Sequence, residues 1–512
     1  MPERHAGIFD GIKMDWLSTL FATVLGFAAA GVILVFLILF WLDVSQQHDA
    51  VRRNYPVLGR FRGLFIYLGE FFRSYFFAAD REELPFNRAE REWVDAASST
   101  NKEDTLAFGS TRSLSVPGTP IFINAAFPKL DEEYKDTQPK LIGQACRHPY
   151  QPSRLFNISG MSYGALSDPA VRALSHGAAI AGCWLNTGEG GLSAAHLSRE
   201  CDIVFQLGTA KYGVRTPEGQ LDEEKLVALA AKPQVKMIEI KLSQGAKPGK
   251  GGILPASKIT PEIAAIRGIP MGKDSLSPNR HHDIGNVTEL LDQIDRIRRI
   301  SGKPVGFKAV TSDDTFLEDL CAEIRHRGSL SAPDFITVDG GEGGTGASPM
   351  PLMDLVGLPL REGLIMTTNT LVRYDLRSRI RVIASGKLVT PGQVAWAMAA
   401  GADFAVSARG FMFALGCIQA LKCNKNTCPT GITTNDRRLQ KGLNPADKAV
   451  RVATYVKELT HEVQMIARSC GVAQADKLDR HHVRLVGATG SSERMDILYP
   501  WPATKVPYIV KN

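Results

Sequence analysis

Long runs of Lys and Arg with interleaved aromatics are absent from this sequence. The net charge is only +7, from 60 basic and 53 acidic residues, so nucleic acid is not the default partner. Paired C-x2-C units are also absent, which argues against structural zinc. No secretory signature is seen. Outside one window the cysteines stand singly, at positions 146, 183, 201, 321 and 470, a pattern that suits a reducing compartment. No Rossmann unit is found. The G-E-G-G-T-G within residues 338–349 formally fits G-x-G-x-x-G, but a lone match is weak and the glycines run past the fingerprint. A dedicated nicotinamide domain is therefore not expected. The adjacent His281 and His282 lack a carboxylate-rich shell and read as structural or active-site-loop residues rather than metal ligands.

What is present begins with an uncharged apolar run at residues 16–42. A helix needs about 20 apolar residues to cross a bilayer, and this run exceeds that. Trp16 and Trp41 lie at its ends, where an aromatic belt would place them. A signal peptide would have a shorter apolar core and a small-residue cleavage site. Arg52, Arg53, Arg60 and Arg62 follow the run and only Arg4 and Lys13 precede it, which predicts a single-pass anchor with the C-terminal body in the cytoplasm. In residues 60–77, RFRGLFIYLGEFFRSYFF, aromatic and aliphatic residues recur at spacings of three and four. Two readings stand: a helix lying on the membrane, or a helix packed on the main domain.

From residue 154 short β-branched runs alternate with helical stretches. Eight such runs are counted, at 154–158, 183–186, 202–206, 237–242, 304–309, 334–338, 380–384 and 403–407. Strand–helix alternation in eight units predicts an α/β fold, a (β/α)8 TIM barrel, with its active face formed by the loops after the strands. Residues 243–286 are too long for an ordinary link and are expected to form a functional insertion over the mouth. A helix is expected over 444–470, followed by a Pro-rich extended tail from 498. The predicted organisation is a tail (1–15), a transmembrane helix (16–42), a juxtamembrane lead-in (43–139), the barrel domain (140–450) and a C-terminal helix and tail (451–512). Barrels often bind phosphate after the seventh and eighth strands, which here lead into Gly386 and Lys387 and into Ser407, Ala408, Arg409 and Gly410. Lys308, on an otherwise apolar strand, is costly unless it meets an anion or an electron-rich ring; the alternative is an outward-snorkelling side chain.

Cys417, Cys423 and Cys428 form C-x5-C-x4-C within CIQALKCNKNTCPTG. Three thiolates at this spacing suit an iron–sulfur cluster better than zinc, and three buried structural cysteines are the other reading. The extended pattern L-G-C-x5-C-x4-C-P-x-G-I-x-T closely resembles the segment that binds a three-iron, four-sulfur cluster in glutamate synthases. The resemblance continues through SGMSYGALS (159–167), NTGEGG (186–191), KLSQGAKPGKGG (241–252), HHDI (281–284) and GGTGASP (343–349), and covers residues 140–450.

This resemblance implies FMN and a [3Fe-4S] cluster as cofactors. Cys417, Cys423 and Cys428 would hold the cluster. Met161, Ser162, Gly343 and Gly344 would lie at the flavin, Lys308 would stabilise its reduced form, and its phosphate would take the sites after the last two strands. Lys241, Gln244 and Lys247 would bind 2-oxoglutarate, with Lys241, Lys308 and Glu189 as the catalytic set. For Glu189 a plain turn carboxylate is an equal reading. The family usually has Asp where Glu342 stands and an acid where Lys250 stands.

The implied reaction is reduction of the imine of 2-oxoglutarate and ammonia, or another amine, to glutamate. Electrons would arrive from a donor protein, a ferredoxin or a reductase subunit. A glutaminase domain and the family's large C-terminal domain are not expected in this chain, so a separate glutaminase subunit is an expected partner. The alternatives are an N-methylglutamate synthase-like or other amine and keto-acid reaction, a membrane electron-transfer flavoprotein without glutamate synthesis, and an inactive scaffold.

Overall fold

The computed structural model describes residues 9–100, 109–133, 135, 137 and 140–502. It divides into two compact units at 89/90.

In the first unit, helix Phe9–Ser45 contains a stretch, Trp16–Ser45, with mean hydropathy 2.7 and none of its most apolar window buried. By length and composition this helix can cross a bilayer, and it is the one such helix among the described residues. At its end the Asp43 carboxylate accepts hydrogen bonds from Arg60 Nε (2.8 Å) and from the backbone N–H of Val57 (2.9 Å). These contacts fix an elbow before helix Leu58–Phe72 and the π-helical turn Arg73–Phe77, so residues 60–77 are helical as their spacing predicts.

The second unit is built on eight parallel strands closed into a barrel. They are β1 (Phe156–Ile158), β2 (Leu185–Asn186), β3 (Ile203–Leu207), β4 (Val235–Lys241), β5 (Val305–Val310), β6 (Phe335–Asp339), β7 (Arg381–Ser385) and β8 (Phe404–Ser407). All eight expected runs are strands, and β8 returns to pair with β1 through Ala405–Phe156 and Ser407–Ile158. The short β2 is held by its neighbours rather than by its own length: Asn157 Oδ1 accepts from the Trp184 N–H at 3.0 Å, and Leu185 and Asn186 pair with Ile203 and Val204.

The barrel is filled at its lower end by Trp184, Val204, Met237, Phe335, Ile383, Phe404 and Val406, the inward positions of strands with period two. Buried Asp334, before β6, takes Arg298 and Arg379 at 3.0 and 2.9 Å, a stabilising lock on the face away from the strand ends. Helix Pro445–Ser469 starts with Asn444 as its cap and packs on helix Asp168–Ala181, where a side chain in place of Gly177 would collide with Val452. The predicted limit at 450 falls inside this helix. Strand Pro120–Phe122 in the lead-in pairs with Val483–Val486, so both flanks of the barrel domain join in a small three-stranded sheet. Residues 503–512 of the expected tail lie outside the described residues.

Candidate active site at the mouth of the barrel

The loops after the strands enclose a cavity of about 150 Å³. Its wall includes Met161 and Ser162 after β1, Glu189 after β2, Gln244 and Lys247 after β4, Gly344 after β6, Ala408 and Arg409 after β8, and Cys423. The insertion over residues 243–286 forms the far wall. It carries a two-stranded ribbon, Ile253–Leu254 with Ser275–Leu276, and the helix Pro261–Arg267. Gly343, Gly386, Lys387, Ser407 and Gly410 belong to the same strand-end loops but are not in that wall.

Charge in the cavity is unbalanced. Glu189 is the one acid in its wall, and it pairs with Lys241 Nζ at 3.1 Å. Burial works to raise the Glu189 carboxyl, but the charges of Lys241 and Lys247 overcome it and hold the pKa below the usual value. Lys247 is pushed down to about 8 by burial and by Lys241, with Glu189 opposing. Its ammonium, on a residue only 6% exposed, has no counter-ion within salt-bridge reach among the described residues.

Arg267 was not singled out in the sequence. It lines the cavity, donates to Ser275 Oγ (3.1 Å) and to the Tyr163 carbonyl (3.1 Å), and lies over the Tyr212 ring at 5.0 Å. Its buried Nε has no hydrogen-bond partner among the described residues. A cation at the end of a seven-residue helix, IRG, carries no signal of its own in the sequence.

Below the mouth, Lys241 and Lys308 are register partners on β4 and β5. Lys308 does not snorkel outward. Its side chain is 8% exposed, and Nζ lies 3.2 Å from Asp339 Oδ2 and 3.4 Å from Ser385 Oγ. Asp339, the last residue of β6, also accepts from Ser385 Oγ (2.7 Å) and from the backbone N–H of Gly245 (2.8 Å). Asp339 is thus the anion that Lys308 meets, and it was masked in the sequence by the glycine run behind it. Deeper still, Glu239 is buried without a cation. It accepts from Asn186 (2.8 Å), Gln206 (2.7 Å) and Thr337 (2.6 Å), a satisfied polar floor.

The glycine-rich loop after β6 serves packing. A Cβ on Gly245 would collide with the Gly340 carbonyl, and Ala246 N–H donates to the Gly341 carbonyl at 2.9 Å. Glu342 turns away from the cavity: both its oxygens accept from the Leu360 N–H at 3.0 Å, at the start of helix Leu360–Arg373. Gly386 has φ +147°, a region that favours glycine, and Lys387 follows at +49°. Ser407 Oγ accepts from Gly410 N–H at 3.1 Å, and Arg409 Nη2 donates to the Thr345 carbonyl at 2.6 Å, tying β8's loop to β6's.

His281, pushed down to about 4 by burial, is neutral; its Nε2 donates to the Lys241 carbonyl at 3.0 Å. Asp283, next along, pairs with Lys211 at 2.9 Å. The HHDI segment therefore braces the end of β4.

The cysteine loop is held by its backbone. Lys258, 1% exposed, donates to the carbonyls of Ala165 (2.8 Å), Cys423 (3.2 Å) and Thr433 (2.9 Å), which staples the first strand-end loop, the insertion and the cysteine loop together. Gln419, Leu421 and Asn426 all have positive φ, so the loop is wound through conformations costly for their side chains. Cys428 is buried, while Cys417 and Cys423 are half-buried. Burial pushes the Cys417 thiol up to about 11, and it feels the charges of Cys423 and Cys428. Cys428 Sγ lies 3.3 Å from Thr430 Oγ1. Among the described residues no three His, Cys, Asp or Glu side chains converge as one metal ion requires.

Comparison with known proteins follows the same lines. A family model described as a conserved region in glutamate synthase matches residues 118–473. The glutamate synthase large subunit-like protein YerD of Bacillus subtilis is 39% identical, over 91% of this chain and 96% of its own length. An archaeal glutamate synthase [NADPH] of Methanocaldococcus jannaschii is 34% identical, over 67% of this chain and 64% of its own length. Among solved structures, a chimera of (S)-mandelate dehydrogenase superposes with TM-score 0.45 at 13% identity, over 71% of this chain and 87% of its own. The chain belongs to the glutamate synthase family, through its conserved synthase region.

Proposed function

We propose that this protein is an FMN-dependent oxidoreductase that reduces the imine of 2-oxoglutarate and ammonia to glutamate. The observation that carries the reading is the excess of positive charge in one cavity wall, where Lys247, without a counter-ion within salt-bridge reach among the described residues, and Arg267 line the same space as Gln244 and a single acid, Glu189. Buried charge without a partner is costly, and a dicarboxylate would meet that need at both ends. Lys241 holds Glu189 ionised next to the same space, so Glu189 can orient an ammonium donor by its charge.

The strand ends fit a flavin. A side chain on Gly386 would crowd Gly340 and Leu360, and one on Gly344 would strike Arg409, so these glycines keep the strand-end loops close together where the flavin would bind. Lys308 would face the ring and stabilise its reduced anion, Met161 and Ser162 would lie against it, and the loops of Lys387 and of Ser407 to Gly410, with Gly343 nearby, would hold its phosphate. FMN, when bound, supplies the hydride chemistry. The protein's part is to hold the keto acid, keep Glu189 charged and exclude water.

Cys417, Cys423 and Cys428 would hold an iron–sulfur cluster. What supports this is the C-x5-C-x4-C spacing on one loop, with Cys417 close enough to feel the charges of Cys423 and Cys428. Such a cluster would pass electrons singly from a ferredoxin or a reductase subunit. The apolar Trp16–Ser45 helix would anchor the enzyme as a single-pass membrane protein with its catalytic unit on the cytoplasmic side.

The test is product formation. Detergent-solubilised protein, purified without air and given reduced viologen, 2-oxoglutarate and ¹⁵N-ammonium, is expected to release ¹⁵N-glutamate. Failure to form it with FMN bound would contradict the reading. Low-temperature EPR before and after Cys423→Ser tests the cluster separately.

A further inference from the structure

One carboxylate touches three parts of the site that the proposed reaction must coordinate. Asp339 Oδ2 is shared between the Lys308 ammonium (3.2 Å) and the backbone N–H of Gly245 (2.8 Å), while Oδ1 takes the Ser385 hydroxyl (2.7 Å). Lys308 is the cation below the mouth. Gly245 lies between Gln244 and Lys247 in the loop after β4. Ser385 ends β7, next to Gly386. The residue is only 6% exposed, so these three donors are the main influence on how its charge is distributed.

The Gly245 contact is unusually constrained. A side chain there would strike the Gly340 carbonyl oxygen and Gly343, and the next residue is tied at both ends: Ala246 N–H donates to Gly341, and its carbonyl accepts from Ser348. A backbone shift at Gln244–Lys247 therefore moves the N–H that lies on Asp339.

We propose that Asp339 is a positioning residue that couples occupancy of the dicarboxylate site to the reduction potential of the flavin. A dicarboxylate drawn onto Lys247 and Gln244 seats the loop more firmly, and the Gly245 N–H takes a larger share of the Asp339 charge. Lys308 is then less neutralised and stabilises an anionic reduced flavin better. Substrate raises the potential, and by reciprocity the reduced enzyme binds 2-oxoglutarate more tightly than the oxidised enzyme by the same factor. A tenfold preference corresponds to about 30 mV for a two-electron couple. The benefit is order: electrons settle on the flavin when there is a keto acid to receive them.

This inference rests on the FMN and 2-oxoglutarate reading, and the experiment separates the two. Spectroelectrochemical titration of the full-length, FMN-loaded protein is run with and without saturating 2-oxoglutarate, and binding of the keto acid is measured independently by equilibrium dialysis. A rise in wild-type potential that disappears in Asp339→Asn, with 2-oxoglutarate still bound by the variant, is the expected result. Binding with no change in the wild-type potential overturns the coupling and leaves the enzyme reading intact. No binding at all overturns both. An Asp339→Asn protein that keeps the full shift overturns the role of Asp339. If that variant does not fold, Ser385→Ala, which leaves both Oδ2 contacts in place, serves instead: the shift is expected to persist at an altered baseline potential, and its loss would assign the coupling to Ser385.

Discussion

The charged half of the mouth and the cysteine half are held by opposite means. Around Glu189 it is the side chains that are fixed: Lys241 is paired, Arg267 is clamped by Ser275 and Tyr163, and His281 props the strand beneath. Around Cys423 it is the backbone that is fixed. Lys258 and Asn435 spend their donors on main-chain carbonyls, and three residues take positive φ, while the thiols make few bonds of their own. A site for a small anion needs preset charges. A site for a cluster needs a preset loop whose thiolates are free to become ligands.

Several variants would break this contrast. The largest effect is expected for Lys241→Met. It removes the salt-bridge partner of Glu189, and it should lower Tm and depress kcat/KM about 100-fold or more. Thermal unfolding and steady-state kinetics check both; a near-wild-type enzyme would mean that Glu189 is not held by this pair. Lys258→Met comes next. It strands three carbonyl acceptors, at about 1–3 kcal/mol each where no water replaces the ammonium, so a fall in Tm is expected together with loss of iron from the cysteine loop. Loss of Tm with iron retained would show that Lys258 braces the fold and not the loop.

A smaller effect is expected from pH. Lys247, held near 8, loses its proton as pH rises through that value, so the affinity for 2-oxoglutarate should weaken above about pH 8, by up to roughly tenfold per unit. For stability the sign is reversed. The unfolded chain keeps this proton up to the ordinary lysine range and binds more protons between the two values, so this group's contribution favours folding as pH rises through that window. A flat binding profile from pH 7 to 9 would remove Lys247 from the substrate site. The smallest effect is expected for Glu342→Ala, about 1 kcal/mol, the loss of a helix-start acceptor outside the cavity. A large loss of 2-oxoglutarate affinity in that variant would place the acid in the site after all.

The barrel was legible because its strands are β-branched runs that end in glycine or polar turns. Even the weak run at 183–186 was correctly read, although only Leu185 and Asn186 pair. Lys241, Gln244, Lys247 and Glu189 were singled out through the family resemblance, and the structure brings Gln244, Lys247 and Glu189 into one cavity wall with Lys241 paired to Glu189. Asp339, Arg267, Lys258 and Glu239 were not, since each acts through a partner far away in the chain. Asp339 meets Gly245, and Lys258 meets Cys423, across distances in sequence that no local pattern records. Glu342 shows the converse: its motif placed it near the site, yet its side chain turns to Leu360.

The most direct test of the account is a single-turnover measurement. Protein with its flavin photoreduced under argon is mixed with 2-oxoglutarate and ammonium, and flavin absorbance is followed in the wild type and in Lys247→Ala. Rapid reoxidation that requires both substrates is expected, with a rate that saturates in 2-oxoglutarate and a concentration dependence shifted about tenfold or more upward in the variant. Reoxidation that ignores 2-oxoglutarate, or a variant with unchanged concentration dependence, would contradict it.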